Sequence, residues 1–175
     1  MLLRGSGVRD TACVLGVGSK TVLRTIVKQG VPIQLKPLYW QYRCVQIDEL
    51  WSYVGRKEKK VWIIYALCAE SGEILAFTMG RRNSKTVRQL MLKLKPLDIA
   101  MFCTDNWEAF AEVLPKTRHL IGKQFTKKIE GTNTFIRTRL RRLARRTTCF
   151  SKKLLNHYLM FKLLAYHKNM RLSYI

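Results

Sequence analysis

Beyond residue 42, apolar positions follow two different patterns along the chain. Short, largely apolar runs separated by turn residues such as Ser71-Gly72 predict β-strands, whereas apolar residues at helical spacing after Ser84, stopped by Pro96, predict a helix. The predicted strands are Arg43–Glu49, Lys60–Ala69, Glu73–Met79, Ile99–Thr104 and Arg118–Ile121, and the later predicted helices are Trp107–Leu114, Lys128–Arg145 and Ser151–Lys168. The pattern therefore predicts an α/β protein with a mixed sheet.

A different pattern occupies residues 7–28, where two apolar helical faces flank a tight turn. Gly16-Val17-Gly18 forms the predicted turn, and Ser19 is a good N-cap for the second helix. This spacing predicts a helix-turn-helix, although an ordinary helical hairpin would have a similar pattern. The candidate DNA contacts on the outward face of the second helix are Lys20, Thr21 and Arg24.

Three segments follow from these patterns. Residues 1–30 are predicted to be the helix-turn-helix segment. We expect this segment to be truncated, because such motifs usually occur in three-helix units and only residues 1–6 remain to supply the first helix. Residues 31–42 contain Pro32 and Pro37 and are predicted to be a linker. Residues 43–175 form the main domain, which ends in two basic helices.

The element order of the main domain resembles that of the ribonuclease-H-like fold. It begins with three consecutive strands, and helices and single strands then alternate. In that fold the first strand is central and the fourth lies beside it in parallel. We therefore expect Asp48 and Asp105, at the ends of these two strands, to reach the same edge of the sheet.

The charge of the chain indicates a polyanionic partner. There are 33 Lys and Arg residues against 11 Asp and Glu, giving a formal net charge of +22. We therefore expect binding to nucleic acid through counterion release, and the alternative is a ribosome-associated protein or a basic protein that adheres nonspecifically. The stretch 137–146 is especially rich in arginine, and its apolar stripe would leave Arg137, Arg141 and Arg145 on an exposed flank that could follow a DNA backbone.

An acidic residue on a surface that contacts polyanions repels their phosphates, so the acids in such a chain call for a specific explanation. Asp48 and Asp105 each end an apolar strand, and Glu130 lies just ahead of the arginine-rich helix. Hard carboxylate oxygens are what Mg²⁺ accepts, so the three acids predict a divalent-metal site. The alternative for each acid is an ordinary surface carboxylate or a salt bridge with one of the many arginines. Glu49 should point to the opposite face of the strand from Asp48 and is a weaker ligand candidate.

From the remaining composition we expect a cytoplasmic protein that is associated with the nucleoid. Five scattered cysteines form no Cys-x-x-Cys pair, so they predict reduced, packed thiols rather than a zinc site. The most apolar run, residues 61–69, is too short to span a bilayer, so no membrane role is expected.

Four blocks of the sequence resemble the transposases of the smallest bacterial insertion sequences, the insertion-sequence-one family. They occur in the family's order and with the helix-turn-helix cover nearly the whole chain. The blocks are Gln46-Ile47-Asp48-Glu49-Leu50-Trp51-Ser52-Tyr53-Val54-Gly55, Cys103-Thr104-Asp105-Asn106-Trp107, Lys127-Lys128-Ile129-Glu130-Gly131-Thr132-Asn133 and Arg142-Leu143-Ala144-Arg145-Arg146-Thr147-Thr148-Cys149-Phe150-Ser151-Lys152.

The resemblance implies a metal-dependent Asp-Asp-Glu transposase that cleaves double-stranded DNA at the inverted-repeat ends of its element and transfers strands to target DNA. Asp48, Asp105 and Glu130 match the catalytic positions and would bind Mg²⁺ or Mn²⁺. A homo-oligomer is expected in the complex that pairs two ends.

Several assignments stay open at the sequence level. Asn133, one helical turn after Glu130, could orient that residue, touch DNA phosphate, or be a solvent-facing amide. His119 and His157 match family positions without a defined role. The whole chain could instead be a catalytically impaired remnant or regulator that only binds DNA, or a ribonuclease-H-like nuclease that does not join strands.

Overall fold

The computed structural model describes residues 1–144 and 147–172. Within these ranges the chain forms five strands and six α-helices, joined by short 3-10 turns. The strands are β1 (Gln41–Tyr53), β2 (Lys60–Cys68), β3 (Ile74–Gly80), β4 (Asp98–Thr104) and β5 (His119–Ile121). The helices are α1 (Val8–Val14), α2 (Ser19–Gly30), α3 (Ser84–Leu94), α4 (Glu108–Val113), α5 (Lys127–Arg139) and α6 (Leu154–Leu172).

The five strands form one mixed sheet in the order β3-β2-β1-β4-β5. β1, β2 and β3 are antiparallel neighbours, as expected for consecutive strands joined by tight turns. β4 lies parallel to β1 on its other side, and β5 lies parallel to β4. The central position of β1 and its parallel pairing with β4 are those predicted for a ribonuclease-H-like domain.

Each face of the sheet carries its own hydrophobic core, which explains why β2 is apolar on both faces. Along β2, Ile63 and Tyr65 pack toward α5 and α6, whereas Ile64 and Ala66 pack toward α3 and α4. All four residues are fully buried. The helices on the two faces therefore hold the strand ends in fixed positions.

The N-terminal helices pack against the main domain. Ile26 of α2 is 2% exposed and belongs to the core that α6 covers. The close approach explains Gly30, where a Cβ atom would lie only 3.1 Å from the Cβ of Leu159. The turn before α2 contains Gly16 in the left-handed region, at φ 62°, as the sequence predicts.

The arginine-rich helix is shorter than predicted. The sequence places a helix over Lys128–Arg145, but α5 ends at Arg139 and a 3-10 turn follows at Arg141–Leu143. Leaving the α-helix lets Leu140 and Leu143 both enter the core, at 1% and 2% exposure. Arg142 is also buried there, because its guanidinium donates to Ser151 and its carbonyl accepts from Ser52.

The last helix also begins later than predicted. Ser151 lies outside α6 and forms an isolated parallel bridge with Val54, just beyond the end of β1. α6 instead begins at Leu154 and packs Leu159, Phe161 and Leu164 into the core. Among the helices of the described ranges, none has both the length and the apolar composition needed to cross a bilayer.

Candidate active site

The difference in length between β1 and β4 creates an open notch in the sheet. β4 pairs with β1 only as far as Gln46, which lies opposite Cys103. Beyond Gln46, β1 continues without β4 beside it. Asp48 lies on this unpaired stretch, and Asp105 follows the last residue of β4. The two acids are 57 positions apart in the sequence but meet at the same edge.

Three carboxylates gather in this notch. One oxygen each from Asp48, Glu49 and Asp105 can be chosen so that all three lie within 4.8 Å of one another. All three residues are half-buried. We call Asp48, Glu49 and Asp105 the acidic cluster. Oxygen ligands at this spacing suit a hard divalent cation such as Mg²⁺ or Mn²⁺.

Hydrogen bonds fix the two aspartates of the cluster. Asp48 accepts a 2.7 Å bond from the backbone N–H of Glu49 and a 2.6 Å bond from the side-chain amide of Asn133. Asp105 accepts a 3.2 Å bond from the backbone N–H of Trp107 at the start of α4. These donors hold the carboxylates in place without neutralising their charge.

Burial and mutual repulsion raise the pKa of two members of the cluster. The pKa of Asp48 is raised mainly by burial and further by the charges of Asp105 and Glu130, against the lowering effect of its hydrogen bonds. The pKa of Glu49 is likewise raised mainly by burial, and the neighbouring Arg82 opposes that shift. Carboxylates whose charge is disfavoured in this way are favourable partners for a cation.

The sequence predicted that Glu49 is a weaker ligand candidate than Asp48, but the structure brings it into the acidic cluster. In the ladder with β2, Asp48 lies opposite Tyr65 and Glu49 opposite Ile64, so their Cα positions do belong to opposite faces as the alternation predicts. Their carboxylates nevertheless meet because β4 has ended and no strand separates the two faces at this edge. The signal in the sequence was a second acid directly after Asp48.

Glu130 lies in the first turn of α5 and is exposed. It is not a member of the acidic cluster, although its charge contributes to the raised pKa of Asp48. Gln46 fixes the start of α5, since its side chain accepts a 2.9 Å bond from the N–H of Ile129 and donates to the carbonyl of Phe125. Glu130 is thus held near the notch but outside it.

Asn133 connects α5 to the acidic cluster. Its amide donates to Asp48, and its carbonyl oxygen accepts a 2.8 Å bond from the hydroxyl of Tyr65 on β2. The sequence left Asn133 to orient Glu130, to touch phosphate or to face solvent; it is half-buried and bonded to Asp48 instead. Contact between Asn133 and DNA stays a prediction.

The arginines beyond Glu130 have different environments. Arg141 is exposed and lies 3.4 Å from Asp10 of α1. Arg137 was expected on the exposed flank but is half-buried, and its charge acts on the buried hydroxyl of Tyr65. Arg145 lies outside the described residues. On α2, Lys20, Thr21 and Arg24 are all exposed, as predicted for an outward-facing helix surface.

The two histidines that match family positions differ in burial. His119 on β5 is half-buried and bonds through Nε2 to the hydroxyl of Thr104, the residue before Asp105, at 2.7 Å. His157 on α6 is fully buried, and burial lowers its pKa to about 4. Its Nδ1 lies 3.2 Å from the hydroxyl of Ser151. His157 is therefore a neutral structural residue, and only His119 lies close to the acidic cluster.

A mixed sheet in this strand order, with carboxylates gathered on its central strand just beyond the end of the parallel neighbour β4, defines a ribonuclease-H-like protein. The family model for IS1 transposase matches residues 42–169. The chain therefore belongs to the IS1 transposase family, as the resemblance in the sequence predicted, and is a bacterial insertion-sequence transposase that acts on DNA.

Two insertion-element proteins agree with this assignment. The chain is 43% identical over 112 residues to the insertion element iso-IS1n protein InsB of Shigella dysenteriae, covering 64% of this chain and 86% of the relative. It is 33% identical over 148 residues to the insertion element IS1 9 protein InsB of Escherichia coli K12, covering 81% and 89%. A solved simian T-cell lymphotropic virus intasome bound to the PP2A regulatory subunit B56 gamma is similar with a TM-score of 0.43 and 15% identity, over 74% of this chain and 54% of that one.

Proposed function

We propose that the chain is an Asp-Asp-Glu transposase that cuts DNA at the inverted-repeat ends of its element and joins the cut strands to target DNA. Its catalytic residues would be Asp48, Asp105 and Glu130, with Mg²⁺ or Mn²⁺ as the cofactor. The observation that carries this proposal is the convergence of Asp48 and Asp105 in the notch beyond the end of β4.

The chemistry of the donor set supports a divalent cation. The notch offers several carboxylate oxygens, and two of the acids have raised pKa values, chiefly because of burial. When bound, divalent ions would activate a water or a DNA 3′-hydroxyl for attack and stabilise the leaving oxygen of the scissile phosphate. No covalent enzyme intermediate is required.

The residues of the chain have distinct tasks in this proposal. Asp48, fixed by Asn133, and Asp105, fixed by the start of α4, would supply the buried ligands. Glu130 would complete the set from the exposed first turn of α5, so its contribution depends on a small approach of that turn toward the notch when DNA is bound. The exposure of Glu130 supports this task, because the residue is open to a scissile phosphate that would arrive from solvent.

Basic residues of α5, of the stretch that follows it and of α2 would hold the DNA. We assign contacts with the DNA backbone to Arg137, Arg141, Arg145 and Asn133. The helix-turn-helix would contact DNA through Lys20, Thr21 and Arg24. No acid occurs between Gly131 and Ile175, so nothing in that stretch neutralises its positive charge. Pairing of two element ends would require a homo-oligomer of the chain on DNA.

The test is an assay with labelled DNA carrying the inverted repeats of the element. In Mg²⁺ or Mn²⁺, the purified protein should give both cleaved ends and joined products, and EDTA should abolish both. Cleavage without joining would indicate a nuclease. Binding without either product, under conditions where the protein is folded, would leave a DNA-binding regulator and contradict the proposal.

A further inference from the structure

Glu49 has an unusual environment for an acid that merely pairs with an arginine. Its side chain is only 7% exposed, and Arg82 contacts it through both Nε, at 2.9 Å, and Nη2, at 2.7 Å. Both bonds go to the same oxygen, Oε1. A structural arginine-carboxylate pair usually engages both oxygens in a fork. The geometry here leaves the second oxygen, Oε2, available.

Oε2 of Glu49 is buried and has no hydrogen-bond partner among the residues that the structure describes. A buried carboxylate oxygen without a partner is costly, and such an atom in a folded protein calls for a specific explanation, such as an ion. A carboxylate oxygen of Glu49 also lies within 4.8 Å of oxygens from Asp48 and Asp105. A cation in the cluster would supply the missing partner.

Aromatic side chains hold Arg82 in a position that fixes Glu49. The guanidinium of Arg82 lies 4.3 Å from the ring centre of Trp107 and 5.2 Å from that of Trp62. Trp107 also donates its backbone N–H to Asp105. One set of contacts therefore orients both Glu49 and Asp105 toward the notch, which is the arrangement expected of residues that support metal ligands.

We propose that Glu49 is a further ligand of the divalent-metal site, binding through Oε2 while Arg82 holds Oε1. This inference rests on the proposed metal-dependent function and adds a residue to its site. The acidic cluster of Asp48, Glu49 and Asp105 then binds a cation before DNA arrives, without Glu130, which is exposed and outside the cluster.

The experiment measures Mn²⁺ binding to the full chain without DNA, by isothermal titration calorimetry and by the electron paramagnetic resonance signal of free Mn²⁺. Glu49→Gln should weaken binding by about tenfold or more, as expected when a ligand rather than a distant charge is lost. Asp48→Asn should weaken it at least as much. Thermal melting checks that each variant is folded, which we expect because each change removes repulsion within the cluster.

A charge-matched control separates ligation from electrostatics, since Glu49→Gln also leaves the Arg82 charge unpaired. The double variant Glu49→Gln/Arg82→Gln keeps the net charge of the wild type. If Glu49 is a ligand, the double variant still binds Mn²⁺ weakly, because the net charge is restored but the ligand is still missing. Recovery of wild-type affinity in the double variant would overturn the proposal.

The two proposals fail in distinguishable ways. Unchanged affinity in Glu49→Gln, together with loss of binding in Asp48→Asn, would remove Glu49 from the site and leave the metal-dependent function intact. Unchanged affinity in both variants would remove the metal site in the notch altogether and overturn both. No binding to the wild type without DNA would overturn the further inference alone, because in the proposed function Glu130 completes the ligand set only when DNA is bound.

Discussion

The side-chain amide of Asn133 donates a 2.6 Å hydrogen bond to Asp48 across 85 positions of sequence. Asn133 lies on α5 and Asp48 on the central strand, so the bond joins a surface helix to the acidic cluster. Tyr65 orients the amide by donating to its carbonyl oxygen at 2.8 Å. The position of Asp48 therefore depends on a residue, Tyr65, that is buried beneath it in the neighbouring strand.

This relationship predicts that Tyr65→Phe lowers catalysis while the protein stays folded. Loss of the hydroxyl frees the Asn133 amide to turn, and we expect DNA cleavage to fall by about tenfold, as for other residues that orient metal ligands. The stability cost should be about 0.5–1.5 kcal/mol. Cleavage rates and denaturant unfolding measure the two effects.

Tyr42→Phe is the matched control for this prediction. It removes a buried hydroxyl of the same kind, bonded to Glu73 at 3.0 Å, with no link to the acidic cluster. Tyr42→Phe should destabilise the protein without a selective loss of cleavage. Equal cleavage by folded Tyr65→Phe and Tyr42→Phe would show that the hydroxyl of Tyr65 does not position the site.

Asp105→Asn should separate activity from stability. The amide oxygen can still accept the bond from Trp107, while the charge that repels Asp48 and Glu49 is removed. We expect cleavage and joining to fall by more than about 100-fold, since a ligand should matter more than its supporting residues. DNA binding in a gel-shift assay should persist, and the melting temperature without metal should not fall. Wild-type activity would exclude Asp105 from the mechanism.

Stability of the metal-free protein should fall as the pH rises above the ordinary carboxyl range. The pKa values of Asp48 and Glu49 are raised in the folded state, chiefly by burial, so the folded protein binds protons more tightly than the unfolded chain. Their stabilising effect is complete below the unfolded pKa values and is lost as the pH rises through the folded ones. Mg²⁺ should restore stability at high pH, where the acids are charged.

Melting temperatures between about pH 4 and pH 8 check this dependence against the ordinary carboxyl range. The double variant Asp48→Asn/Glu49→Gln should gain on the wild type as the pH rises, because it lacks the two titrating groups. Glu58→Gln, which changes an exposed acid in the turn between β1 and β2, should follow the wild type. A constant difference between the double variant and the wild type would contradict the assigned pKa directions.

The salt dependence of DNA binding tests the arginine surface. Arg141→Gln/Arg145→Gln removes two proposed phosphate contacts, so the slope of log affinity against log salt should become less steep by about 2. The control is Lys95→Gln/Lys116→Gln, which removes two exposed charges outside α5 and the arginine-rich stretch and should leave the slope unchanged. Equal slopes for both pairs would place the DNA path elsewhere.

The fold could be predicted from the sequence because its determinants are local. Each of these determinants defines an element within a few residues. They are the apolar character of both faces of β2, the turn at Ser71-Gly72 and the proline after α3. Together they give the element order and hence the sheet topology. The predicted C-terminal boundary of α5 was wrong because that boundary depends on tertiary packing rather than on local sequence. Arginine and leucine both favour helix locally, but burial of Leu140 and Leu143 ends the helix at Arg139.

Some features of the candidate site could likewise be predicted from the sequence, whereas others depend on tertiary packing. The sequence by itself determined that Asp105 directly follows an apolar strand and that the chain is strongly basic, because such strand ends and net charge depend on pattern and composition alone. The predicted end of the first strand at Glu49 was wrong, since β1 runs on to Tyr53 and Asp48 lies within it. Only the tertiary structure decided that Glu49 joins them, that Asn133 and Tyr65 hold Asp48, and that Glu130 lies outside the cluster. Those outcomes depend on β4 ending before β1 does and on the packing of α5 over the sheet, which bring together groups that are far apart along the chain.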